Sequence, residues 1–203
     1  GPLALAGTYT VELVKVDQGA ESVLAGPESF DVEPLALATF AAEDPAEVLA
    51  FRRRAAKLQR AVSGTIRVGG ELTKRLNHRR GARFETPLAS QQRLATIENL
   101  RSRLKRIQAE LSGDRVMRMH DIPRPRSIGE RIDGVMGSQL SVTSAPTQTQ
   151  RAVLAEAETM FTAVHADLRV LLEQDLKAVE DRMEQAGAPW TPGRLPIWSP
   201  GAR

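Results

Sequence analysis

The chain has no cysteine, so it can form no disulfide, offers no thiolate nucleophile and builds no cysteine-based zinc site. Aromatic residues are scarce, at 4% of 203 residues, which argues against a β-sandwich core as the main architecture. No apolar run approaches the roughly 20 residues that span a bilayer. The sequence has no His-Glu-x-x-His zinc motif, no Gly-x-Ser-x-Gly elbow around Ser63-Gly64, and no Gly-Lys-Ser/Thr after Gly64, Gly69 and Gly70. These absences leave no set of residues that reads as catalytic, cofactor-binding or metal-ligating. His78, His120 and His165 stand apart from one another, and the carboxylates Glu156, Glu158 and Asp175 fall on a helix whose polar face accounts for them. Asp175 lies close to the apolar stripe, where an arginine of an earlier helix is its expected partner.

What is present is helical periodicity. Small or apolar residues recur at Val48, Phe51, Ala55, Leu58, Val62, Thr65, Gly69, Leu72 and Leu76, in steps of three and four. That spacing is the seam of a helix packing lengthwise on others. Asp44-Pro45 supplies a cap and a proline at the first helical position, and Asn77 to Gly81 supplies cations and a terminating glycine. Gly69 falls on the seam and predicts a close approach, whereas Gly64 and Gly70 predict a kink. A second helix is expected from Thr86-Pro87 to Ser112, with Leu94, Ile97, Leu100, Leu104, Ile107 and Leu111 on one face. A third runs from Pro146 or Thr147 to Ala186, with Val153, Ala157, Phe161, Val164, Leu168, Leu171, Leu172, Leu176, Val179 and Met183 as its stripe.

Between them, residues 114–146 are irregular. Ser127 and Glu130 form a capping box for a short helix from Ile128 to Leu140, whose Gly129, Gly134 and Gly137 predict contact with a neighbour. At the N-terminal end, Thr8 to Val16 alternates with Tyr9, Val11 and Leu13 on one face. Asp17 to Ala20 and Gly26-Pro27 read as turns, and Glu28 to Glu33 as a strand. Two or three strands do not stand alone in water. They dock on the helices or belong to a sheet with strands upstream, as in half of an Ig-like sandwich, and the abrupt start at a strand predicts an excised fragment. The expected fold is therefore mainly α: an antiparallel bundle of three long helices plus a short one, with a small N-terminal β-hairpin or partial sandwich. Residues 1–35 form the strands, and 36–203 the bundle with a Trp- and Pro-rich tail that folds back over it.

The net charge of +3 conceals a division. Residues 52–131 carry 21 Lys/Arg against 7 Asp/Glu, and the remainder 7 against 18. Basic helices beside an acidic third helix are the expected consequence. The alternative is a basic helical module that binds nucleic acid or an anionic surface, through a patch of Arg52, Arg53, Lys57, Arg60, Arg79 and Arg80. Against it, no aromatics interleave with these cations, and three consecutive arginines point over a wide arc.

Three short stretches carry a resemblance. Gly7-Thr8-Tyr9-Thr10-Val11, Ser144-Ala145-Pro146-Thr147-Gln148-Thr149-Gln150 and Ala188-Pro189-Trp190-Thr191-Pro192-Gly193-Arg194-Leu195-Pro196 are similar to the C-terminal region of exported bacterial proteins with sialidase-like (Asp-box, sortilin-like) β-propellers, often labelled glycosyl hydrolase. The resemblance implies a periplasmic or extracellular parent. Any chemistry would lie in the propeller, and this chain would be a non-catalytic structural or interaction module. Its implied partners are that propeller, another protein or a second copy. No Asp-box (Ser-x-Asp-x-Gly-x-x-Trp) occurs here, so no catalytic residue carries over.

Overall fold

A computed structural model describes residues 4–34, 40–82, 91–139 and 142–185, without the side chains of 79–82 and 91–94. The expected Thr86-Pro87 helix start and the Trp/Pro tail lie outside the described residues. Strands β1 (Gly7–Asp17) and β2 (Ala20–Val32) pair antiparallel. They are followed by α1 (Pro45–Ala82), α2 (Gln91–Ser112), α3 (Arg115–Met119), α4 (Ile128–Gln139) and α5 (Gln148–Val170). A π segment, Leu171–Leu176, joins α5 to α6 (Lys177–Gln185).

The architecture is mainly α with a small hairpin. Helix α1, about 57 Å long at 1.5 Å per residue, runs beside α5 and α6 in the same direction, since Glu47 pairs with Arg151, Arg54 with Glu158 and Arg75 with Glu180. Helices α2 and α4 run the opposite way and share the third position end to end. Gln108 of α2 reaches Gly69 on α1, while Gln59 of α1 reaches Asp133 on α4. At their junction Gly129 sits so close to α2 that a Cβ would lie 3.0 Å from the Leu111 carbonyl oxygen. The descending member of the bundle is thus one rod broken at residues 113–127. One core runs through it, with Leu72, Leu76, Ile107, Leu111, Ile128, Ile132, Leu154, Leu171 and Leu176 fully buried.

Local chemistry accounts for the ends. Asp44 Oδ1 accepts from the Ala46 amide at 2.9 Å, and Ser127 and Glu130 form the expected capping box on α4. Thr147 and Gln150 form a second box on α5. Asp114 accepts from the Val116 and Met117 amides and starts α3, a helix the sequence did not announce. Helix α1 continues through Gly64 and Gly69-Gly70 as one helix. Gln108 Nε2 donates to the Gly69 carbonyl and the Thr73 hydroxyl, each at 3.0 Å, so the close approach at Gly69 is filled by an amide side chain. Of the three glycines in α4 only Gly129 meets a neighbour; nothing stands within 4 Å of the Cβ position at Gly134 or Gly137.

The third helix departs from a plain α-helix. Counting the partly buried Phe161 between Ala157 and Val164, its core-facing apolar residues step by three or four except from Leu171 to Leu176, a step of five. The wider π turn absorbs the additional residue and keeps both leucines in the core. The ion pairs record the same insertion: Arg54 and Glu158 are 104 residues apart, and Arg75 and Glu180, beyond the π segment, are 105 apart.

Gly26-Pro27 is not a turn but lies inside β2, where the register shifts opposite Val11 and Leu13. Gly26 has φ +98°, and a Cβ there would stand 2.6 Å from the Val11 carbonyl oxygen. Only glycine fits this bulge.

Candidate interaction surfaces

Part of the basic middle is consumed within the bundle. Arg52 is buried, and its Nη2 donates to the Val142 carbonyl, tying α1 to the turn before α5. Arg54 pairs with Glu158, which holds its guanidinium pKa above the usual value. Arg75 pairs with Glu180 at 2.6 Å, Arg103 with Asp175 at 2.5 Å and Arg131 with Glu156 at 2.7 Å. The acidic third helix therefore answers cations from α1, α2 and α4. Asp175, about one-third exposed, has the arginine partner expected for it.

The basic patch read from sequence is divided. Arg52 faces inward. Arg53, Lys57 and Arg60 are exposed on the face of α1 opposite the core and make no hydrogen bond or ion pair among the described residues. The side chains of Arg79 and Arg80 lie outside the described residues. Arg67, which the patch did not include, continues the line of Arg53, Lys57 and Arg60. The spacing 53, 57, 60, 67 could have shown this, but three consecutive arginines obscured which one belonged to it.

A cavity of about 530 Å³ opens beside the connector between α3 and α4. Arg124 in its wall makes a two-pronged contact with Glu130, whose carboxyl is held at about 2 chiefly by that guanidinium and by the amide and hydroxyl of Ser127. Asp133, also in the wall, accepts from Gln59 at 3.1 Å. These groups neutralise one another, and no nucleophile stands against a base. Among the described residues no three His, Asp or Glu side chains gather where a metal could be held. No described helix is long and apolar enough to cross a membrane.

The hairpin is the least satisfied part of the molecule. Every residue from 7 to 31 is exposed. The register puts Tyr9, Val11, Leu13 and Phe30 on one face, and the Tyr9 and Phe30 rings stack at 6.1 Å. On the other face lie Thr8 with Asp31, Thr10 with Ser29, Val14 with Val23, and Val16 with Glu21, so exposed valines stand there as well. Glu12 alternates onto that second face as well. Val11 is 54% exposed, Leu13 61% and Phe30 49%. A two-stranded ribbon is marginal by itself in water, and this one leaves a row of apolar side chains open to solvent.

Comparison with family models, with curated proteins and with solved structures found no match to this chain.

Proposed function

We propose that this chain is a non-catalytic structural and protein-interaction module whose hairpin is the contact element. The observation that carries this reading is the amount of apolar side chain the ribbon leaves open. Tyr9, Val11, Leu13 and Phe30 are exposed on one face, where Glu28 stands opposite Val11, and Val14, Val16 and Val23 are exposed on the other beside Glu21. Such a ribbon buries its Tyr9, Val11, Leu13 and Phe30 row against an apolar protein surface. Its unpaired edges are also free to take a further strand. The bundle is the rigid base from which it projects.

The resemblance supplies the partner in this reading: the β-propeller of an exported parent protein, met outside the cytoplasm. Hydrogen exchange tests it. In the chain alone the β1 and β2 amides exchange rapidly, and in the presence of the propeller they become protected. Val11→Glu with Leu13→Glu abolishes that protection and leaves the helical amides unchanged. Hairpin amides that exchange equally fast with and without the propeller would refute the assignment.

A further inference from the structure

We propose that the outward face of α1 binds the phosphate backbone of duplex nucleic acid through Arg53, Lys57, Arg60 and Arg67. The four follow one another at steps of four, three and seven, so they form a single line along the helix, about 21 Å long at 1.5 Å per residue. That line lies opposite the buried seam of Ala55, Leu58, Val62, Thr65 and Gly69.

The arc of arginines that argued against a single binding line is resolved by the fold. Arg52 turns into the core and Arg54 turns to Glu158, which leaves Arg53 alone of the three to point outward. Every other cation of α1 with a described side chain has a partner, whereas these four have none among the described residues. From Val48 to Gly70 the sequence contains no Asp or Glu at all. Exposed helix faces ordinarily mix the two signs. Here like charges sit three and four residues apart and repel, and an anion laid along the line relieves that repulsion.

The residues beside the line select the class of polyanion. Phe51, the one Phe, Tyr or Trp of α1, is buried with Arg151 over its ring, so α1 itself offers no platform for unstacked bases. Between the cations the line carries only Gly64, so no apolar side chain on it enters a lipid layer. Ile66 and Val68 are partly exposed but point to either side of Arg67. What remains is a straight row of charge, suited to a regular row of phosphates and indifferent to base sequence.

Fluorescence anisotropy with a labelled duplex of about 24 bp and arbitrary sequence tests the site across salt concentration. Four cations give a slope of log K against log salt of about −3.6, which is a loss of about 150-fold between 50 and 200 mM. The quadruple variant R53Q/K57Q/R60Q/R67Q is expected to lose binding at least about tenfold at low salt, with unchanged far-UV circular dichroism and thermal midpoint. The control R115Q/R118Q/R126Q, which removes exposed cations of the connector, is expected to bind as the parent does. The proposal is overturned by no binding at about 50 mM salt, by a quadruple variant that binds normally, or by preference for phosphatidylserine vesicles or single strands over duplex. It stands independently of the hairpin, because none of these variants touches residues 7–32.

Discussion

Removing one residue from the third long helix should stabilise the protein. The π segment, Leu171–Leu176, exists because the step from Leu171 to Leu176 is five in a helix that otherwise packs in threes and fours. Deleting Gln174 shortens that step to four and leaves a continuous α-helical seam from Leu154 to Met183. Gln174 is exposed and makes no side-chain hydrogen bond among the described residues. Asp175 stays next to Leu176 and remains in reach of Arg103. The deletion restores one regular backbone hydrogen bond in place of the widened turn, worth about 0.5–1.5 kcal/mol. For a chain of this size that raises the thermal midpoint by about 1–6 °C. Deleting Ser63 from α1 is the control. No wide turn exists there to absorb the change, so every later residue of the helix rotates by about 100° relative to the core. Leu72 and Leu76, both fully buried, leave their sites at about 1.5–3 kcal/mol each. Thermal unfolding followed by far-UV circular dichroism compares the two. If loss of Gln174 destabilises as much as loss of Ser63, the π turn is not an absorbed insertion and the reasoning fails.

The glycines give a pair of opposite signs. Gly64→Ala meets nothing within 4 Å in an exposed helix interior and should gain about 0.5–1 kcal/mol, whereas Gly129→Ala drives a methyl to 3.0 Å from the Leu111 carbonyl oxygen and should lose stability; urea midpoints measure both. Glu130 governs the acid limb. Its folded pKa of about 2 lies below the ordinary value of 4.5, so its contribution is complete above about 4.5 and disappears as the pH falls toward 2. Glu130→Gln keeps the reach back to the Ser127 amide but removes the charge facing Arg124, so the variant's urea midpoint should change less than the parent's across that window. An identical acid dependence in the two proteins would contradict this.

The long-range architecture was legible because burial and sequence period coincide. Phe51, Ala55, Leu58, Val62, Leu72 and Leu76 are buried, as their spacing required, and so are Ile97, Leu100, Leu104, Ile107 and Leu111. Caps were legible where a short polar side chain precedes an apolar run, as at Asp44 and Ser127. Three features were hidden for separate reasons. The π turn was masked by Leu172, which fills the gap in the apolar list so that the step of five passes unseen. Helix α3 begins at an Asp114 that also looks like part of a Gly-Asp stop. Gly26-Pro27 has the composition of a turn, yet the two residues lie in the middle of a strand because the hairpin pairs on both sides of them. The candidate surfaces were half legible. The alternation of Tyr9, Val11 and Leu13 showed a face, but only the fold shows that no described helix covers it. The cation cluster was evident, but which members point outward depends on Val142 and Glu158, 90 and 104 residues away from Arg52 and Arg54.

This distance dependence also explains why charge composition was a poor guide to activity. A balance strongly positive over residues 52–131 suggests a polyanion-binding surface of the same extent. The bundle instead sets α1 and α2 beside an acidic helix, and Arg54, Arg75, Arg103 and Arg131 are taken up by Glu158, Glu180, Asp175 and Glu156. What is left for an outside partner is the remainder after internal pairing. On α1 that remainder is confined to the side facing away from the core, because carboxylates of α5 and α6 reach only the flanks of the helix they pack against. The hairpin obeys the same logic in apolar form: the bundle closes its core with its own leucines and isoleucines, and Val11, Leu13 and Phe30 have no place in it. Both surfaces are therefore what the bundle cannot satisfy within itself. In the two proposals one takes negative charge in a line and the other an apolar protein face, and the two sites do not overlap.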